Sequence, residues 1–263
     1  MSAWRSNAPQ RLAYAVAAVS LVPLVVSLLV SLTPSSYLEL PRGGLTLRWY
    51  EEFWSGPIWR EALWHSLLVG ALATVFSIAC GLAAAVALTR GRRRWTAAWE
   101  WALLLPLVLP GVALAAGLLA VVRQTPLWGH PVSLALAHSV LAVPVAYVAL
   151  RAGLERVDPN LELAARGLGA NPWQAFRHAT LPQLTPALLA AALFCLAISL
   201  NEVTLTLFLA TRDTETLPRI IWPHLRFAVT PLAAAASGTL LLFTLPAALA
   251  AGWALRPRRH RPS

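Results

Sequence analysis

Six stretches of this 263-residue chain each hold about 20 predominantly apolar residues, the length at which an α-helix crosses a hydrocarbon core about 30 Å thick. They fall at 12–32, 63–88, 98–122, 131–150, 183–210 and 232–255. Inside lipid no water can satisfy backbone N–H and C=O groups, so each stretch must satisfy them within itself, as a helix. The expected fold class is therefore an all-α membrane protein with six transmembrane helices. Composition agrees: 58% of residues are hydrophobic and 12% charged, half the charged share of about 25% in a soluble domain. The 12 tryptophans suit anchoring at a membrane–water interface. Arg5 and Arg11 precede the first stretch as they would a signal peptide. Its apolar run is too long for one, and SLTPSSY offers no small-x-small cleavage site, so the segment reads as retained.

The basic residues orient the spans. All 21 are arginine. Without lysine the chain cannot build a P-loop, whose Lys reaches the nucleotide phosphates, so ATP chemistry must come from a partner. Cytoplasmic flanks collect positive charge. Arg5, Arg11, Arg90, Arg92, Arg93, Arg94, Arg151, Arg156, Arg166, Arg177 and the four arginines of the tail lie on one side of a six-span arrangement, and seven arginines lie on the other. Both termini are then cytoplasmic. The net charge of +10 is a topology signal before it is a nucleic-acid surface. Cys80 and Cys195 sit in apolar runs and read as small buried hydrophobes. The six histidines show no metal-ligand spacing.

Between the first two spans, LTLRWYEEFWSGPIWREALWHS concentrates aromatic residues. A short amphipathic helix on the outer surface would seat Trp49, Tyr50, Phe53, Trp54, Trp59 and Trp64 at headgroup depth, with Glu51, Glu52 and Glu61 in water. Pro106, Pro110 and Gly111 interrupt the third span and Pro144 the fourth, where bends are expected. Glu202, beside Asn201 in the fifth, is the clear ionisable group inside a span. Such a group is costly there, so it reads either as a structural pair or as part of a translocation path that would attract a cation. Glu100, near an inner end, is within reach of water or of the Arg90–Arg94 cluster.

The longest inner loop lies between the fourth and fifth spans and contains ELAARGLGANPWQAFRHATLP. Asp158 caps a helix whose first position is Pro159. Leu161, Ala164, Ala165 and Leu168 recur at helical spacing as one apolar face, and Gly169 ends the helix. Asn171 starts a second, with Pro172 first and Gln174 completing a capping box. Trp173 and Phe176 share a face, and Pro182 ends the element at the membrane. The segment reads as a cytoplasmic helix–turn–helix whose small residues permit close approach. A plain surface hairpin and a DNA-reading helix pair compete with it. Glu155, Asp158 and Glu162 weaken the latter, and an apolar face suits a protein groove better.

At these residues the chain resembles the EAA-loop family, the inner-membrane permease subunits of bacterial binding-protein-dependent ABC importers. Ala164, Ala165, Gly169, Leu181 and Pro182 match its register. Leu163 stands where the signature Glu is expected, with Glu162 just before it, and Ala179 replaces Ile or Val. The resemblance covers about 60–255 and divides the chain into an N-terminal helix and outer aromatic loop (1–60), a five-span permease core (61–255) and a basic tail (256–263). PRGGLTLRWYEEF, SLNEVTLTLFLA and ETLPRIIWPHLRFAVTP look further like the spermidine/putrescine-type branch, whose relatives handle 2-aminoethylphosphonate, iron(III) and thiamine. The resemblance implies a transport permease with no catalysis and no cofactor of its own. It implies an ATPase subunit in two copies, a second permease, identical or homologous, and a periplasmic binding protein. Glu162, Ala164, Ala165, Gly169, Trp173, Phe176, Leu181 and Pro182 would form the ATPase-coupling loop, and Asn201 and Glu202 the substrate path. An intramembrane enzyme is the contrary reading, and neither HExxH nor GxSxG is present. A docking scaffold without transport is another.

Overall fold

The computed structural model describes residues 8–90, 96–228 and 230–254, all helix, turn or irregular chain, with no strand among them. Arg5, Arg92, Arg93, Arg94, Leu255 and the basic tail at 256–263 lie outside the described residues. Among the described residues, five helices are long and apolar enough to cross a membrane, and a bent pair makes a sixth candidate.

The chain packs as two compact units. The first takes the described residues up to Arg60 and the segment Ile220–Phe243. It holds α1 (Ala8–Val30), α2 (Arg48–Ser55) and parts of later helices. Along α1, Leu12, Val16, Val19, Val22 and Val25 are exposed, an apolar surface suited to lipid tails. The aromatic loop departs from its expected use. Trp49, Phe53 and Trp59 are buried in the unit instead of lying at a headgroup layer. The Trp49 indole N–H donates to the Thr33 carbonyl at 2.8 Å, and Tyr50 Oη hydrogen-bonds Ser31 Oγ at 2.8 Å. A large ring with one polar atom can be core once that atom has a partner. Only Trp54 and Trp64 of the six aromatics are strongly exposed, while Glu51, Glu52 and Glu61 face outward as expected.

The second unit comprises Glu61–Arg219 and resumes at Thr244. Its helices include most of α3 (Pro57–Arg90), α4 (Thr96–Leu104), α5 (Gly111–Val122) and α6 (Pro131–Leu154). After them come α7 (Pro159–Gly167), α8 (Pro172–Ala175), α9 (Leu181–Asn201) and α10 (Thr204–Leu209). Two further helices, α11 (Leu217–Pro223) and α12 (Pro231–Ala254), follow. The heart of the unit is α6 against α9, with Ala142, Ala146, Tyr147 and Leu150 meeting Leu184, Ala191 and Cys195. Small residues let these backbones approach where lipid removes the usual hydrophobic drive. At Gly81 of α3 a Cβ would come within 2.7 Å of Ala146 Cβ and 3.0 Å of the Tyr147 nitrogen, so that crossing requires glycine.

Two expected spans are not straight helices. The third turns by 99° between the Thr96–Leu107 and Gly111–Val122 segments, where Pro110 supplies no N–H and Gly111 opens the next helix. The fifth ends early, with Glu202 in extended conformation after α9, before the short α10. Pro144, by contrast, does not interrupt α6, which runs through it. Glu100 meets Arg151 at 2.5 Å.

Candidate functional site

The loop after α6 is built by its caps. Asp158 Oδ1 accepts the Asn160 N–H at 2.9 Å, with Pro159 in the first helical position of α7. The helix closes with Gly169 N–H on Arg166 O at 3.0 Å and Ala170 N–H on Ala165 O at 3.1 Å. Gly169 adopts φ +93°, a left-handed conformation that glycine reaches at least cost. Asn171 and Gln174 then exchange two hydrogen bonds at 2.9 Å each, a complete capping box opening α8. Trp173 stacks on Phe176, with ring centroids 5.9 Å apart. Pro182 does not end this arm. A π turn at Phe176–Thr180 carries the chain directly into α9, where Pro182 occupies the first turn, its missing N–H harmless. Helical structure runs unbroken over Pro172–Asn201.

The side chains divide into two sets. Leu163 (62% exposed), Leu168 (91%) and Trp173 (64%) point to solvent, and Ala164 and Gly169 are also exposed. Ala165, Phe176 and Leu181 are half-buried. Leu168 follows the last turn of α7 and forms the tip of the hairpin, not part of a helical stripe. Glu162 faces the other way. Its carboxylate receives both Arg90 guanidinium nitrogens, at 3.1 and 2.6 Å, and the Thr180 hydroxyl at 2.8 Å. Burial pushes this carboxyl up, but hydrogen bonds from Arg90 and Thr180, with the charges of Arg90 and Arg166, outweigh it and hold it below the ordinary value. The Arg90 guanidinium also lies 5.8 Å from the Phe176 ring centroid. Beside this contact is an open hollow of about 500 Å³ lined by Thr89, Arg90, Glu162, Leu163, Arg166 and Thr180.

A second constellation surrounds the break after α9. Glu202 is half-buried, and its Oε1 accepts the Leu205 N–H at 2.8 Å, capping α10. Asn201 is exposed and donates to Ala197 O at 2.8 Å. His138 of α6 is fully buried, bonded to Ser199 Oγ at 2.8 Å and Thr206 Oγ1 at 3.1 Å. Thr206 uses its one hydroxyl proton on Glu202 O at 2.9 Å. It must therefore accept from His138 Nε2–H, which leaves Nδ1 to accept from Ser199. The network fixes the tautomer and ties α6 to both sides of the break.

Sequence reasoning brought Glu162, Gly169, Trp173 and Phe176 into one loop but missed Arg90 and His138. Arg90 read only as flanking charge. Its position as the last residue of α3 was a signal, since a span end can reach a loop between spans. His138 was passed over for lack of metal spacing, although a polar ring inside an apolar span needs partners as much as a carboxylate does.

Residues 77–259 match the family described as binding-protein-dependent transport system inner membrane component. A putative 2-aminoethylphosphonate transport system permease protein of Salmonella typhimurium strain LT2 is 32% identical over 228 residues, 86% of this chain and 83% of that protein. The putrescine transport system permease protein of Escherichia coli K12 is 30% identical over 204 residues, covering 75% of this chain and 73% of the relative. A spermidine/putrescine permease protein of Haemophilus influenzae is 26% identical over 239 residues, 91% and 93% of the two chains. Among solved structures, a chain from a bacterial ABC transporter that imports the acidic polysaccharide alginate superposes with a TM-score of 0.70 at 14% identity, covering 96% of this chain and 99% of its own. The same kind of transporter, in complex with an alginate pentasaccharide-bound periplasmic protein, gives 0.71 at 15% identity over the full length of both chains. At such identities the likeness is one of fold.

Proposed function

The chain belongs to the binding-protein-dependent transport system inner membrane components and is a permease subunit of an ABC importer, and from that premise we propose that it carries a small ammonium-bearing solute, a polyamine or similar amine, across the bacterial inner membrane. In this reading six spans place both termini in the cytoplasm, and the α7–α8 hairpin is the cytoplasmic coupling element. Two ATPase subunits supply the nucleotide chemistry, a second permease completes the path, and a periplasmic binding protein delivers the solute. ATP binding draws the ATPases together, pushes the hairpins and opens the path outward.

One observation carries the coupling role. Leu163, Leu168 and Trp173 are presented to solvent on a hairpin held by caps at both starts and a positive-φ glycine at its turn. A large apolar side chain exposed at 91%, flanked by two more on the same loop, fits a groove on another protein. The substrate class is supported by the names of the relatives, since 2-aminoethylphosphonate, putrescine and spermidine all carry a primary amine. It is supported too by the Glu202 carboxylate at the broken fifth span, which favours a cation. Reconstitution with the ATPase, second permease and binding protein tests the whole reading. ATP turnover stimulated by the loaded binding protein, with uptake of labelled putrescine or 2-aminoethylphosphonate, is expected. Absence of stimulation would sink the transport role. Stimulation with iron(III) uptake alone would replace the amine.

A further inference from the structure

We propose that Arg90 is a positioning residue for energy coupling, clasping both arms of the α7–α8 hairpin to the cytoplasmic end of α3, so that the hairpin moves α3 as well as α6 and α9. This rests on the coupling role proposed above and adds the route by which force enters the membrane.

Chain connectivity alone gives the hairpin two handles. Its first arm follows α6 after a short link, and its second is continuous with α9. Helix α3 is 72 residues from Glu162 in sequence and has no such link. Arg90, its last residue, supplies one. The guanidinium fork meets both oxygens of Glu162 on the first arm, at 3.1 and 2.6 Å, a two-point contact that fixes orientation as well as distance. The same group lies over the Phe176 ring on the second arm, 5.8 Å from its centroid, within the range of a cation–π contact. Thr180, where the π turn joins α9, donates to the same carboxylate at 2.8 Å. Exposed ion pairs contribute little, but Glu162 is only 17% exposed and accepts three hydrogen bonds from two elements. The carboxylate is thus spent within the chain, which leaves the outward tip of the hairpin apolar. With the clasp removed the tip can still seat in its partner, while α3 no longer follows.

The test uses the complete importer in proteoliposomes, with Arg90→Ala, Arg90→Lys and the exchange Arg90→Glu with Glu162→Arg. Uptake is read with whichever of putrescine, 2-aminoethylphosphonate or iron(III) the wild type carries. Arg90→Ala is expected to retain ATPase co-purification and stimulated hydrolysis within about threefold, while solute moved per ATP falls about tenfold, the scale of an ordinary coupling between sites. Arg90→Lys, which keeps the charge but loses the fork, should fall between, and the exchange should restore most of the ratio. An unchanged ratio in Arg90→Ala overturns the proposal. So does loss of ATPase co-purification in that variant, which would make Arg90 a folding or docking residue, and so does an exchange that restores nothing. A wild-type importer without stimulated hydrolysis would instead overturn the permease reading itself.

Discussion

Glu162 and Gly169 sit seven positions apart on one hairpin and respond to substitution for opposite reasons. Glu162 is held by partners. Its folded-state pKa lies below the ordinary 4.5, so the stability it contributes is fully present above that value and is lost as pH falls through the depressed one. Glu162→Gln should lower apparent thermal stability at neutral pH by about 1 kcal/mol, the upper range for a part-exposed pair. The gap to wild type should close on acidification, because a protonated Glu162 then resembles Gln; a gap independent of pH would contradict the assignment. Gly169 has no side chain for a partner to hold. A Cβ there would meet no atom within 4 Å, so the cost of Gly169→Ala comes only from its φ of +93°, about 1 kcal/mol. Gly169→Asn, better tolerated in that region, should cost less. Amide hydrogen exchange across α7 and α8 orders the three proteins, and equal protection in Ala and Asn would contradict the backbone account.

At the scale of elements, what could be read in advance was local. Asp158–Pro159, Gly169 and Asn171–Pro172–Gln174 are capping signals within four residues of their partners, and they stand where spacing puts them. Interruptions set by tertiary contacts could not be read this way. LNEVTLTL contains neither Gly nor Pro, and its single Asn is a weak stop signal, yet α9 stops at Asn201. The stop is stabilised from outside by His138, 61 and 68 residues from its two partners, and from within by Glu202 capping α10. The burial of Trp49 is tertiary in the same way, because its N–H finds the Thr33 carbonyl, 16 residues away. The break separates two roles for Glu202. Glu202→Ala removes both the cap and the charge, whereas Glu202→Gln keeps an acceptor for Leu205. Losing the cap should cost about 1 kcal/mol in the Ala variant only. If the carboxylate also lies on the path, both variants should slow uptake of a cationic solute to a similar degree. Uptake preserved in Gln and lost in Ala would confine Glu202 to capping.

At the scale of the described molecule, the apolar surfaces exposed on α1 and on the α7–α8 loop call for different partners. Along α1, valines and leucines project over a length suited to lipid tails. Leu163, Leu168 and Trp173 project instead from a loop that also carries Glu155, Asp158, Arg166 and Arg177. A bilayer core does not cover such a mixture, but a groove lined by apolar residues and rimmed by polar ones does. Within it the tryptophan is the natural anchor, since Trp dominates binding hot spots and truncating one typically costs about 2 kcal/mol or more. Its stacking on Phe176 keeps the ring preorganised. Trp173→Ala should therefore weaken ATPase association at least about tenfold, measured by titrating labelled ATPase onto the permease in nanodiscs. Leu168→Asp should do the same through desolvation of a new charge, while leaving the caps on both arms intact. Neither variant should alter membrane insertion or protection of the α6–α9 core. If both bind the ATPase as tightly as wild type, the exposed tip is not where the motor engages, and the hairpin would have to be gripped along another face.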